Sequence, residues 1–166
     1  MELNRSWVVN AARRTLVALL PALARPDDRF AQGYLEPAEY RLYLSMDPRD
    51  RQHACLVARQ LLQRMPQASD VLVRAALLHD VGKSVRPYNP LYRILVHLYA
   101  PSDVPEAPAL EGLRGAWQVK RHHSRYGARL IREAGGCDEV ARLVERHHEP
   151  GGDAGASLIK SLDDET

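Results

Sequence analysis

Seven titratable side chains lie on the apolar side of helix-like segments, and this pattern constrains the fold of the 166-residue chain more than any other feature. A buried charge or unpaired imidazole is costly, so such groups normally pair with one another or coordinate a metal ion. One such histidine alone would more often be a satisfied core residue than a ligand. Five histidines and two aspartates reverse that expectation and predict a metal site: His53, His79, Asp80, His123, His147, His148 and Asp163.

Helical periodicity indicates which member of the pair His122 and His123 faces inward, because residues three, four and seven apart share a helix face. His123 is followed at this spacing by apolar residues such as Leu130, whereas His122 aligns with Arg129. His123 is therefore predicted to be the inner residue. His97 and His122 fit the pattern poorly and are expected to be surface or loop-contact residues.

A similar argument distinguishes the two candidate ligand aspartates from acidic residues that are expected at the surface. Asp163 comes four residues after Ile159, whereas Asp164 comes four after Lys160, with which it could form a surface ion pair. Asp80 follows a predicted helix, where the negative end of the helix dipole disfavours a carboxylate. A nearby cation would offset that effect, so Asp80 is expected to have one.

Almost every segment after the first residues reads as helix, with no alternation typical of strands. Ser69 or Asp70 is a candidate N-cap of a helix that runs through Leu78, and Gly82 is expected to supply its C-terminal stop. The prolines and glycines between Pro101 and Trp117 predict a long loop or lid, which is the best candidate for a mobile element. The other predicted helices are residues 37–46, a segment through Ala54 to Met65 that ends at Pro66, 90–99, 121–134, 138–148 and 156–164.

Length and composition fit one domain, with residues 1–48 as a helical extension packed on the bundle and residues 50–166 as the core. The first residues predict an amphipathic helix packed on the domain, with membrane-surface binding as the alternative. Arg13 and Arg14 interrupt its apolar runs before they reach a membrane-spanning length. No membrane span is expected.

Charge and cysteine content exclude several classes of function. Lys and Arg number 23 against 21 Asp and Glu, and this formal charge of +2 is too small to indicate a nucleic-acid partner. Cys55 and Cys137 form no CxxC arrangement, which predicts reduced thiols and a cytoplasmic protein. Cys55 lies in an apolar helical pattern and is expected in the core.

The ordered set of His53, His79-Asp80 within HDVGK, His123, His147-His148 and Asp163 resembles the HD-domain superfamily of metal-dependent phosphohydrolases. The resemblance covers about residues 50 to 166. An HD dipeptide alone would be weak evidence for this superfamily, but the full ordered set of residues is strong evidence. It implies an all-α HD-domain helical bundle that holds two divalent metal ions.

The same resemblance implies how the ligands divide. The first ion would be held by His53, His79, Asp80 and Asp163, and the second by Asp80, His123, His147 and His148. Asp80 suits the bridging position because a carboxylate has two oxygens, whereas a neutral imidazole can donate to only one ion. Members with this fuller histidine set usually hold iron or manganese, and a mixture of imidazole and carboxylate suits such metals without selecting one.

The implied activity is hydrolysis of a small phosphorylated substrate, a nucleotide being one candidate, by water that two ions activate. Asp80 and Lys83 are the predicted catalytic residues, since Lys83 completes an HD-x-G-K motif and would approach a substrate phosphate. Otherwise Lys83 would be an exposed lysine near a helix end. Four more basic residues could contact phosphate, although solvated positions are expected for each: Arg86, Lys120, Arg121 and Arg125.

Two other classes remain open. Some HD-fold proteins are di-iron oxygenases with a similar skeleton, and a non-catalytic bundle could bind a nucleotide or a partner protein. HHEPGGDAG begins like the HD-GYP branch, but no GYP follows, so cyclic di-GMP phosphodiesterase activity is not expected. Asp163 lies three residues from Thr166, where chain ends usually fray. Either metal binding fixes that end, or the first site is weaker than the motif suggests.

Overall fold

The computed structural model describes residues 24–86, 90–99 and 101–166. Within these ranges every regular element is helical and no strand occurs, which confirms the all-α prediction. The amphipathic helix predicted at the N-terminus falls outside the described ranges, which begin at residue 24. The elements are α1 (Asp28–Gln32), α2 (Pro37–Leu44), α3 (Pro48–Arg64), α4 (Asp70–Leu78), a 3₁₀ helix (Val81–Val85), α5 (Pro90–Leu98), α6 (Gly112–Glu133), α7 (Asp138–Arg146) and α8 (Ala154–Glu165).

Side-chain caps explain where several of these helices begin. Ser69 accepts a hydrogen bond from the backbone N–H of Leu72 at 3.3 Å, which confirms the predicted cap of α4. Asp153 caps α8 in the same way through the N–H of Ala156 at 3.0 Å. Pro48 does not only end the preceding segment, since it is also the first residue of α3, where its missing N–H is harmless.

The core lies around α4, whose residues from Leu72 to Leu78 are buried except for Arg74. α4 packs against α3 on one side and α7 on another, while α6 packs against α7 and the 3₁₀ helix. Apolar residues of α8 complete this core, because Ile159 and Leu162 are fully buried. Cys55 is also in the core, as predicted. No helix in the described ranges has the length and apolarity needed to cross a bilayer.

The start of α6 corrects the sequence prediction. The helix begins at Gly112 rather than near residue 121, so the irregular segment after α5 is residues 101–111 and not 101–117. Gly115 lies inside the helix, where an added Cβ would come 2.3 Å from the carbonyl oxygen of Leu110. That glycine permits a close approach of two backbone segments and is not a turn signal.

Three residues spaced one turn apart on α6 hold the 101–111 loop by hydrogen bonds to its backbone carbonyls. Gln118 donates to two of them, while His122 and Tyr126 contact one each, which confirms His122 as a loop-contact residue. The side chain of His97 lies outside the described residues. The contacts are Gln118 Nε2 to Pro105 O at 2.7 Å and to Pro108 O at 2.9 Å, His122 Nε2 to Val104 O at 2.7 Å, and Tyr126 Oη to Glu106 O at 2.7 Å.

The helix that Ser69 caps was predicted to run through Leu78, and α4 does end there. Gly82, which was expected to supply its C-terminal stop, lies instead within the 3₁₀ helix that follows. A Cβ at Gly82 would lie 1.8 Å from the carbonyl oxygen of His123 and 2.6 Å from the backbone nitrogen of Gly127. The glycine therefore allows the 3₁₀ helix to pack directly against the backbone of α6.

Candidate metal centre

All seven predicted ligand residues meet in one region of the bundle. Helix ends supply several of them: His79 and His147 are the C-cap residues of α4 and α7, and Asp80 and His148 follow them. His53, His123 and Asp163 come from α3, α6 and α8. Three helices and the C-terminal ends of two others thus converge on one site, in which His53 contacts Asp163, 110 positions later in the sequence.

Backbone carbonyls fix the orientation of three of the imidazoles. The Nδ1 atom of His79 lies 2.9 Å from Ala76 O, that of His123 lies 3.0 Å from Lys120 O, and that of His147 lies 2.7 Å from Val144 O. A carbonyl can only accept, so Nδ1 carries the proton and donates. When neutral, a ring held this way presents the lone pair of Nε2 inwards, which is the arrangement expected of metal-bound histidines.

Two of these inward nitrogens are buried without hydrogen-bond partners. His79 and His147 are fully buried, and within the described ranges no hydrogen bond reaches the Nε2 atom of either. An unsatisfied buried polar atom costs about 1–3 kcal/mol. A metal ion would satisfy both atoms, so the observed residues fit such a group.

The first group of ligands, which we call the carboxylate group, comprises His53, His79 and Asp163 together with one oxygen of Asp80. His53 Nε2 lies 2.7 Å from Asp163 Oδ1, and His79 Nε2 lies 3.6 Å from the same oxygen and 3.5 Å from Asp80 Oδ2. Burial opposes protonation of His79, but the charges of Asp80 and Asp163 outweigh it and raise the pKa to about 9. Metal binding to this group would therefore displace the second proton of His79.

The second group, which we call the imidazole group, comprises His123, His147 and His148. The Nε2 atoms of His123 and His148 are 2.9 Å apart, and the ring centroids of His147 and His148 are 4.0 Å apart. Burial first, and then the neighbouring imidazoles, lower the pKa of His147 well below its usual value and that of His148 to about 4. These two rings are neutral near pH 7 and available as nitrogen donors.

Asp80 lies between the two groups and is almost completely buried. Its Oδ1 is 3.3 Å from His123 Nε2, whereas its Oδ2 is 3.5 Å from His79 Nε2 and 2.6 Å from Lys83 Nζ. Burial would raise the pKa of Asp80, but the charges of Lys83 and His79 hold it well below the usual value. The expected nearby cation is therefore Lys83, and each carboxylate oxygen faces a different group.

The donor atoms are close enough to share ions. One ligand atom from each of His53, His79 and Asp80 lies within 4.8 Å of the others, and the same holds for His123, His147 and His148. Mixed nitrogen and oxygen donors of this kind suit iron, manganese or zinc rather than calcium. The arrangement places two clusters of candidate metal ligands on either side of one carboxylate.

Other sequence predictions are resolved by the same geometry. Lys160 Nζ is 3.0 Å from Asp164 Oδ2, which confirms that surface pair. Arg125 pairs with Glu106 at 3.0 Å in an exposed position, as expected for a solvated arginine. His148 is exposed rather than directed fully inward, although its Nε2 reaches His123.

Sequence reasoning did not anticipate how the chain end is held. Arg64 of α3 forms an ion pair with Glu165, and Thr166 Oγ1 donates to Gln60 Oε1 at 2.9 Å. Together with the burial of Leu162, these contacts fix the last turn of α8 against α3. Asp163 is thus positioned by the fold itself.

The sequence matches the HD domain family over residues 52–164. No curated protein and no solved structure matches the chain. The matched segment begins one residue before His53 and ends one residue after Asp163, so it contains all seven clustered side chains. Because it spans more than half of the 166 residues, the chain belongs to the HD domain family.

Proposed function

We propose that this protein is a metal-dependent phosphohydrolase with a dinuclear centre. The observation that carries the proposal is the placement of Asp80, whose two oxygens face two separate groups of histidines at 3.3 Å and 3.5 Å. A buried carboxylate in this position is suited to bridge two cations. Members of the HD domain family are mostly metal-dependent phosphohydrolases, which supports the same reading.

In this proposal His53, His79, Asp80 and Asp163 hold one ion, and Asp80, His123, His147 and His148 hold the other. Two divalent ions held by these residues would supply a water of lowered pKa and would polarise the phosphoryl oxygens. The protein residues fix the donor atoms. The backbone contacts of His79, His123 and His147 keep each Nε2 directed to the centre, and burial of Asp80 excludes bulk water from the bridge.

Lys83 is the proposed phosphate-binding residue of the centre. Its ammonium group is 2.6 Å from Asp80 Oδ2 and about a quarter exposed, so it contacts the buried carboxylate and also borders solvent. A lysine held there can attract an anionic substrate towards the bridge. An ammonium also favours the charge that develops on phosphoryl oxygens during transfer.

The proposed substrate is a small phosphorylated compound, with a nucleotide as one candidate. Iron and manganese are the proposed metals because the donor set combines imidazole nitrogens with carboxylate oxygens. Both cysteines are free thiols, which supports a reducing compartment such as the cytoplasm.

The decisive experiment is elemental analysis of anaerobically purified protein followed by an activity screen. Protein reloaded with Mn²⁺ or Fe²⁺ is tested against phosphomonoesters, nucleotides and cyclic dinucleotides, with Asp80→Ala as the inactive control and Asp164→Ala as the matched surface control. We expect about two metals per chain and release of phosphate or nucleotide that the Asp164 variant retains.

Three other results would each support a different function for the protein. Two metals without hydrolysis, combined with oxygen consumption in the presence of an organic substrate, would indicate an oxygenase. Ligand-induced thermal stabilisation without any product would indicate a binding module. Absence of bound metal after reloading would indicate that the histidines are structural core residues and not metal ligands.

A further inference from the structure

Lys120 lies on α6 one turn before His123, and its side chain is partly buried. Its Nζ donates to the carbonyl oxygen of Val96 at 2.7 Å. Val96 is in the last turn of α5, where backbone carbonyls lack partners within the helix. An ammonium group has three N–H donors, so this contact uses one of them and leaves two.

The 3₁₀ helix brings Lys83 alongside this part of α6. At one end, Gly82 packs against the carbonyl oxygen of His123. Beyond the other end, the guanidinium of Arg86 lies 2.7 Å from where a Cβ of Gly115 would be. The segment from Gly82 to Arg86 therefore runs antiparallel to α6, and Lys83 lies beside the turn that contains Lys120.

Two lysines thus lie on adjoining segments beside the candidate centre. Lys83 contacts Asp80, whereas Lys120 has a neutral carbonyl as its partner and forms no ion pair with any residue that the structure describes. Burial, followed by the positive charge of Lys83, lowers the pKa of Lys120. The carboxylate of Asp80 offsets the charge of Lys83, but no anion among the described residues offsets that of Lys120, so an anion bound beside Lys120 would be stabilised.

We propose that Lys120 is a second phosphate-binding residue and that Lys83 and Lys120 together select a dianionic phosphoryl group, as in a phosphomonoester. This inference rests on the proposed function and narrows its substrate class. A phosphomonoester carries close to two negative charges near neutral pH, because its second pKa is about 6, whereas a phosphodiester carries one. Two ammonium groups complement the first better than the second.

The test measures binding of inorganic phosphate, and of dimethyl phosphate as a monoanionic probe, to the manganese-loaded protein by titration calorimetry. The variants are Lys120→Met, Lys120→Arg to keep the charge, and Arg121→Met as an exposed control on the same helix. We expect Lys120→Met to weaken phosphate binding about 10-fold and dimethyl phosphate binding much less, since a hydrogen bond to a charged group is lost. Lys120→Arg should recover most of the affinity, and metal content should be unchanged in all variants.

Two outcomes would overturn the inference. If Lys120→Met binds phosphate as the unmodified protein does, but unfolds at a lower temperature without phosphate, Lys120 only ties α5 to α6. If both probes weaken equally, the pair does not select a dianion. Failure of the proposed function is seen separately, as absence of turnover by the unmodified metal-loaded protein, whatever the phosphate affinity of the variants.

Discussion

The carboxylate group and the imidazole group are built in the same way but differ in charge. In each, a C-cap histidine, His79 or His147, donates from Nδ1 to a carbonyl of its own helix and directs Nε2 inwards. Carboxylates surround His79 and raise its pKa to about 9, whereas burial and other imidazoles lower the pKa of His147 well below its usual value. Identical backbone geometry therefore gives opposite protonation, because the neighbouring residues differ.

This difference predicts unequal affinity for metal ions. A divalent ion in the carboxylate group would face the negative charges of Asp80 and Asp163, whereas one in the imidazole group shares only Asp80. Opposite charges attract strongly at short range in a partly buried site. The carboxylate group should hold its ion more tightly, and Asp80 should be the one residue on which both depend.

The largest effect is expected for Asp80→Ala, which removes the carboxylate common to both groups. Both metals should be lost, and turnover should fall by on the order of 1000-fold or more. Elemental analysis beside a steady-state assay checks this, with Asp164→Ala as the exposed control. Near-normal metal content in the Asp80 variant would rule out the shared bridge.

Single histidine substitutions should separate the two groups. His147→Ala should lower the metal content from about two ions per chain to about one, while His53→Ala should affect the carboxylate group instead. Graded chelation of the unmodified protein should first remove the ion that the His147 variant lacks. His122→Ala serves as the control, because its Nε2 contacts the 101–111 loop. If His122→Ala loses a metal and His123→Ala does not, the inner residue of that pair has been misassigned.

Substitution of Asp163 tests the difference in charge between the carboxylate group and the imidazole group. Asp163→Asn keeps the shape of the side chain but removes one negative charge, so it should weaken the ion of the carboxylate group by about 10- to 100-fold and leave the other nearly unchanged. Deletion of residues 163–166 should have at least this effect. Metal titration of Asp163→Asn against Asp164→Asn measures it. Equal affinities in the two variants would remove Asp163 from the site.

The smallest effect is expected at the ion pair between Arg64 and Glu165, whose side chains are about half exposed. Exposed pairs of this kind contribute little to stability, because water screens the two charges. Arg64→Met should therefore leave the free energy of unfolding nearly unchanged and the metal content intact. Denaturant unfolding monitored by circular dichroism tests this. A large loss of metal in Arg64→Met would show that burial of Leu162 is insufficient to position Asp163.

Much of the fold could be predicted because local signals and helical periodicity agree. The cap at Ser69, the helix of α3 and the buried position of His123 follow from spacing and side-chain chemistry alone. The start of α6 was missed because Gly112 and Gly115 resemble loop signals. Gly115 instead lies near the start of α6, where the carbonyl oxygen of Leu110 leaves no room for a Cβ.

The sequence by itself was enough to group seven histidine and aspartate side chains into one candidate site, because periodicity assigns each residue to a helix face. Only the tertiary structure decided the distances between them, the division of the Asp80 oxygens between two groups, and the neighbourhood of Lys83 and Lys120. Those features depend on the packing of the 3₁₀ helix against α6 at Gly82 and on the docking of α8 against α3. Contacts between segments far apart in the chain are set by how helices pack, which spacing within one helix does not specify.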